Sequence, residues 1–221
     1  VHAPNSWHYT TGSTNIIVAV IDTGIQYTHS DLFSGIWSND DSCTGGVDGD
    51  NNGYIDDCSG WDFVNNDNDP LDDVGHGTFV SGIIGARLNN IFGASMAPNV
   101  SLMPIKVLGV NGGNTMNIIN GIEYAVKNGA DVINMSLGSV IVTPCDSNMQ
   151  VAIDKANANG VVVVVAAGQN KSVDMPSDFS LCNHVISVTA TDNFNNMASY
   201  SNQQITTDLA APGGDSSPDG V

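Results

Sequence analysis

The sequence predicts an α/β domain built on a doubly wound parallel sheet, and three observations predict it. Ile16 to Thr23 reads IIVAVIDT, an apolar and mostly β-branched run that suits a strand buried on both faces. Such strands belong mainly to parallel sheets. Strand and helix signals then alternate along the chain, as the crossovers of such a sheet require. The composition is 41% apolar and only 13% charged, with 24 glycines among 221 residues, which describes a compact chain with many tight turns. One domain with a sizeable core is expected at this length.

The elements follow in order. The first strand ends in Asp22 and delivers a carboxylate to the carboxyl edge of the sheet, where α/β sites form. Gln26 to Val74 is a long loop region loaded with Asp, Asn, Gly and Ser, and loops of that length are functional or ordered by a metal. Gly75-His76-Gly77 opens a helix over Thr78 to Leu88, and Leu102 to Val107 is a strand. Met116 to Asn128 places Ile118, Ile119, Ile122, Ala125 and Val126 at helical spacing, with Gly129 as the stop. Val132 to Met135 is a strand, Ser147 to Asn159 a helix ended by Gly160, and Val161 to Ala166 a central strand. His184 to Thr189 and Asp208 to Ala211 complete the set, with no internal repeat and no linker.

Five Lys and Arg stand against 23 Asp and Glu, a formal charge of -18. That charge repels phosphate backbones and anionic membranes, so nucleic-acid and membrane-surface partners are excluded. Part of it reads as cation ligands. Asp48-Gly-Asp50-Asn-Asn52-Gly53-Tyr54 matches the first half of a calcium loop, with oxygen side chains at alternate positions, a glycine for the sharp turn and then a backbone carbonyl. Ser59 stands where a complete EF-hand has Glu, so Asp56 or Asp57 must supply the late carboxylate; the predicted ligands are Asp48, Asp50, Asn52, Tyr54 and Asp57. Cys43, Cys58, Cys145 and Cys182 show no C-x-x-C spacing and allow three pairings. Two structural disulfides imply an oxidising compartment, and a secreted mature segment is expected.

The order of a strand-end carboxylate followed by a helix-opening histidine, within H-G-T-x-V-x-G-I, is one in which an aspartate can orient an imidazole acting as general base. VAVIDTGI around Asp22, GHGTFVSGI around His76, NMSLG at Asn134 to Gly138, VVVVAAG at Val162 to Gly168 and LAAPGG at Leu209 to Gly214 resemble the successive blocks of the subtilisin-like serine peptidases, the subtilases. The resemblance runs through nearly the whole chain. It implies a three-layer, subtilisin-like fold. It also implies that residues 1–221 are one catalytic domain lacking its C-terminal side and a short N-terminal piece. By that resemblance His76 takes the proton of a serine nucleophile and Asp22 fixes its tautomer, while the amide of Gln169 completes the oxyanion hole. Gly112, Gly113 and Asn114, with Ser136, Leu137 and Gly138, are implied to pair with an extended substrate backbone. The resemblance further implies that Ala166, Ala167 and Gly168 wall the primary specificity pocket and that Met116 lines a more distant subsite. A calcium site is implied at Asp31 and Asn90 with the carbonyls of Leu88, Phe92 and Ala94. The pairing Cys145 with Cys182, and so Cys43 with Cys58, is likewise implied. So are a protein or peptide substrate, a propeptide or inhibitor able to occupy the same groove, and a monomer.

The sequence also departs from the family pattern. Gln169 stands in place of the family's oxyanion-hole asparagine, with Asn170 beside it as the other candidate. The G-T-S-M-A block that carries the nucleophile is absent from the 221 residues. Gly93-Ala-Ser95-Met-Ala97 nearly copies it, but Pro98 and a strand follow at once, so Ser95 is not the nucleophile; Asp215-Ser216-Ser217-Pro218 carries too little of any catalytic block to replace it. The expected function is a secreted, calcium-stabilised serine endopeptidase working through an acyl-enzyme at neutral to alkaline pH, where the imidazole is unprotonated. The segment 1–221 alone is expected to be inactive. A pseudo-peptidase that only binds extended peptides is the alternative. An aspartic peptidase built on the D-T-G at Asp22 lacks a second D-[TS]-G and conflicts with the α/β alternation.

Overall fold

Val18, Val20 and Asp22 face one side of the first strand, and Ala19 and Ile21 the other; all five are buried. In the computed structural model, which describes residues 3–39, 43–138, 144–169, 178–202 and 206–214, this strand is β1 (Ile17–Asp22), preceded by α1 (Ala3–Trp7). There follow β2 (Trp61–Asp62), α2 (His76–Gly85), β3 (Ser101–Lys106), α3 (Thr115–Lys127), β4 (Val132–Met135), α4 (Ser147–Ala158), β5 (Val162–Ala166), β6 (Val185–Thr191) and β7 (Leu209–Pro212). The chain forms two compact units, His2–Asn134 and Met135–Val221.

In the first unit the strand order is β2-β3-β1-β4, all parallel, with Asp22 of β1 in register with Lys106 of β3. Parity along β1 decides which helix meets which face. Val18 and Val20 join Val80 and Ala86 from α2 and its end, with Leu102 of β3, in one core cluster. Gly121 of α3 sits instead against Ile21, Ile105 and Val107. The two helices therefore cover opposite faces, and Asp22 emerges on the side of α2. In the second unit β5, β6 and β7 run parallel, and α4 packs on β5.

The predicted strands and helices are all present. α2 stops at Gly85 rather than running to Leu88, because Ala86 turns to an extended ψ of 134° and Arg87 leaves to bond other loops. Its main chain donates to the Asp31 carbonyl, and its guanidinium donates to the carbonyls of Ser34 and Pro98. The short β2 and α1 carry no periodicity and were not predicted. The long acidic loop is anchored by Tyr54, whose ring lies 4.9 Å from those of Trp61 and Tyr124, edge to face. Both expected disulfides are formed, Cys43–Cys58 and Cys145–Cys182, with Cα separations of 5.4 and 5.1 Å.

Candidate active site

β1 presents Asp22 fully buried, and the main chain of Thr23 donates to its Oδ1 at 2.7 Å. The same oxygen accepts from His76 Nδ1 at 2.7 Å, while the imidazole remains about half exposed (49%). With Nδ1–H given to the carboxylate, Nε2 is the nitrogen left to take a proton. Burial pushes the Asp22 carboxyl up, and the bonds from His76 and Thr23 pull it back in part. Sequence spacing brought these two residues together on motif order alone, and the structure places them in contact.

The start of α2 explains how His76 is presented. Gly75, at φ 102°, occupies the N-cap and has no side chain to cap the helix. Asp72 supplies the missing acceptors. Its Oδ1 accepts from Thr23 Oγ1 (2.8 Å), Val74 N (3.0 Å) and Gly75 N (2.8 Å), and its Oδ2 from Thr78 N (2.9 Å) and Thr78 Oγ1 (2.5 Å). Thr23 Oγ1 in turn accepts from Gly77 N at 2.8 Å. Burial would raise the Asp72 carboxyl, but these donors outweigh it and hold the group below its ordinary range. The neighbouring Asp73 pairs at 2.5 Å with the buried Lys106, whose Nζ also donates to the Leu71 carbonyl. Sequence reading missed Asp72, Asp73, Lys106, Thr23 and Thr78. The one signal available was an aspartate just ahead of a helix that opens on glycine.

Among the predicted substrate-binding residues of the first unit, Gly112 (φ 82°) exchanges both main-chain bonds with Gly109, closing a tight turn. Gly113 lies so close to Val107 that a Cβ would stand 2.2 Å from its carbonyl oxygen. Asn114 caps α3, its Oδ1 accepting from Asn117 N at 2.9 Å, and Met116 is exposed in the first turn of that helix. In the second unit Ser136, Leu137 and Gly138 follow β4 as irregular chain. Ala166 ends β5; the buried Ala167 donates to Val188 O at 2.9 Å, and the Gly168 carbonyl (φ 104°) accepts from Asn202 N at 3.0 Å. Gln169 is exposed beside them, and Asn170 lies outside the described residues. Ser95 is buried and begins no helix, in keeping with its rejection as nucleophile; Ser216 and Ser217 lie outside the described residues.

The predicted cation ligands fall into two groups, both of hard oxygen donors of the kind calcium takes. Asp31 is buried, and its Oδ1 has no hydrogen-bond partner. Its Oδ2 accepts a 3.3 Å bond from Gly93 N, within the Leu88, Asn90, Phe92 and Ala94 loop. An orphaned buried carboxylate oxygen is costly without a cation, so this site fits the ion. The second group is closed by its own amides: Asn52 Nδ2 donates to Asp50 and Asp57, and Asn39 Nδ2 to the same two carboxylates. Asp48 accepts from the main chain of Asn52 and Gly53, and the main chain of Tyr54 donates to Asn52 Oδ1. Asp57, fully buried and raised by that burial, also accepts from Tyr124 Oη at 2.6 Å. Among the described residues no three His, Cys, Asp or Glu side chains converge as a metal cluster. Nor, among them, is any helix long and apolar enough to cross a membrane.

Comparison with known proteins gives a consistent picture. Residues 13–220 match the family described as the Subtilase family. A thermophilic serine proteinase of Bacillus sp. (strain AK1) is 40% identical over 95% of this chain and 47% of its own length. Thermitase of Thermoactinomyces vulgaris is 37% identical over 96% of this chain and 68% of its own. Among solved structures, a lanthipeptide protease superposes with a TM-score of 0.77 at 28% identity, covering 96% of this chain and 60% of that one. A protease of Pseudoalteromonas arctica gives 0.76 at 34%, covering 97% and 67%. The chain thus spans about half the length of the first of these relatives. The three-layer α/β fold implied by the sequence blocks is that of these structures.

Proposed function

Because this chain belongs to the subtilase family, we propose that the intact protein is a serine endopeptidase that cleaves internal peptide bonds through an acyl-enzyme. The observation that carries the reading is the 2.7 Å bond from a half-exposed His76 to a fully buried Asp22. In the proposed reaction His76 Nε2 removes the proton of the family's serine as its oxygen attacks the scissile carbonyl. Asp22 stabilises the imidazolium so formed without itself taking the proton, and His76 then protonates the leaving amine. In this reading the Gln169 amide donates to the oxyanion, and the segments 112–114 and 136–138 pair with the substrate as an extended strand. A propeptide or inhibitor would use the same groove, and the enzyme works as a monomer. Two disulfides support a secreted, oxidising location. The nucleophile block is absent from residues 1–221, so that segment by itself is proposed to be inactive.

Fluorophosphonate labelling tests the reading. The protein expressed from its whole coding sequence should form one adduct and lose it on His76→Ala. Absence of any adduct in the parent would favour a binder of extended peptides that does not hydrolyse them.

We propose further that calcium is held by Asp31 and Asn90 with the Leu88, Phe92 and Ala94 carbonyls, and by the loop of Asp48, Asp50, Asn52, Tyr54 and Asp57. When bound, the ion neutralises carboxylates that otherwise repel one another. Chelation is expected to lower the melting temperature, with a binding contribution of about 4 kcal/mol at a thousandfold excess over Kd. Asp31→Asn should remove part of the calcium response; an unchanged melting curve with chelator would exclude both sites.

A further inference from the structure

We infer that Asp72 is a positioning residue, holding the Thr23 hydroxyl and the first turn of α2 so that His76 meets Asp22 at bonding distance. The kinetic part of this inference rests on the peptidase reading; the geometric part does not.

The argument is one of proton counting. A carboxylate accepts and cannot donate, so the single hydroxyl proton of Thr23 is committed to Asp72 Oδ1 across 2.8 Å. The lone pairs of Thr23 Oγ1 are then turned toward Gly77 N–H, also at 2.8 Å. Gly77 directly follows His76, and the Thr23 main chain donates to Asp22 Oδ1, the oxygen that His76 bonds. One hydroxyl thus ties the end of β1 to the start of α2, and Asp72 decides which way that hydroxyl points. The same carboxylate accepts from Thr78 N, a first-turn donor that an N-cap glycine leaves without a side-chain acceptor, and from Val74 N and Gly75 N just ahead of it. On the other side, the Asp73 pair with Lys106 fastens the same short segment to the end of β3, whose last residue is in register with Asp22. Consecutive aspartates therefore anchor the His76 loop to two adjacent strand ends. Neither touches the reacting atoms.

An asparagine at position 72 keeps one acceptor and replaces the other with N–H groups that face donors. Such a change leaves the triad residues intact and disturbs only their approach.

The test uses the intact protein with histidine labelled by nitrogen-15. The parent should show a low-field Nδ1 proton for His76, reporting its bond to Asp22. Asp72→Asn should broaden or lose that signal and lower kcat by roughly 10- to 100-fold, with KM changed much less. Thr23→Val should reproduce this signature and Thr23→Ser restore it, which decides the matter if the Asp72 variants fold poorly. Asp192→Asn is the control. Asp192 makes the same kind of turn, accepting from Phe194 N and Asn196 N, and its loss should leave the signal and kcat alone. Retention of the low-field proton and of kcat within about twofold in Asp72→Asn would overturn the inference. A parent that shows the proton but neither hydrolysis nor a fluorophosphonate adduct would sink the peptidase reading while leaving the placement of His76 to be decided by the same spectra.

Discussion

Asp22→Asn in the intact enzyme is expected to lower kcat by about four orders of magnitude, a size set by triad enzymes in general rather than by this geometry. The amide oxygen can still accept one bond. It has no charge to stabilise the imidazolium, and it offers N–H groups that favour the wrong tautomer of His76. The same variant carries a stability signature whose sign follows from burial. Asp22 is fully buried, and its folded carboxyl lies above its ordinary value. The native state therefore holds that proton more tightly than the unfolded chain. Its contribution is fully favourable below the ordinary carboxylate value of 3.8 and is lost as pH rises through the raised folded value. The melting-temperature difference between Asp22→Asn and the parent should thus swing in favour of the variant between pH 3 and pH 7. A difference that is flat across that range would mean that burial does not penalise the ionised carboxylate.

Gly77→Ala should damage both stability and turnover. A Cβ at this position would lie 2.2 Å from the Gly24 carbonyl oxygen and 3.1 Å from the Asp22 Cβ, so α2 cannot keep its approach to β1. Overpacking against main chain of this kind costs about 3 kcal/mol. For a chain of this size that corresponds to a fall of roughly 6–12 °C in melting temperature. Because the displaced element carries His76, kcat should drop on the order of 10²-fold. Gly82 supplies the contrast within the same helix. It meets nothing within 4 Å, and Gly82→Ala should stabilise by roughly 0.5–1 kcal/mol through helix propensity alone. Thermal melts of the two variants side by side would separate a packing constraint from a helix effect; similar melts would show that α2 yields at Gly77.

These residues also show what could be read before any coordinates. β1, β3, α3 and β4 declare themselves because each is long or apolar enough for its period to stand out, and Asp22 and His76 were legible from the blocks around them. β2 is two residues long and has no period to detect. The end of α2 was misplaced because Arg87 is an ordinary helix former by propensity, and only its bonds to the Ser34 and Pro98 carbonyls draw it out of the helix. Asp72 was invisible for a different reason. Its partners Thr23 and Thr78 lie 49 and 6 residues away, and two consecutive aspartates stand just ahead of the glycine that opens the helix, so position does not say which one is committed to the helix start. The acidic loop illustrates the limit from the other side. Its ligand spacing suggests oxygens gathered on an ion, yet Asp50 and Asp57 are met by the amides of Asn39, which lies outside that pattern, and of Asn52, which the pattern reads as a ligand rather than a donor.

The two cystine bridges have a bearing on biogenesis. Each closes within its own unit, spanning 15 and 37 residues, whereas either alternative pairing would have to join thiols from both. Short closures lose the least chain entropy and form first. The correct partner of every thiol is thus also its nearest one along the sequence, and oxidative refolding should need little isomerase-assisted reshuffling.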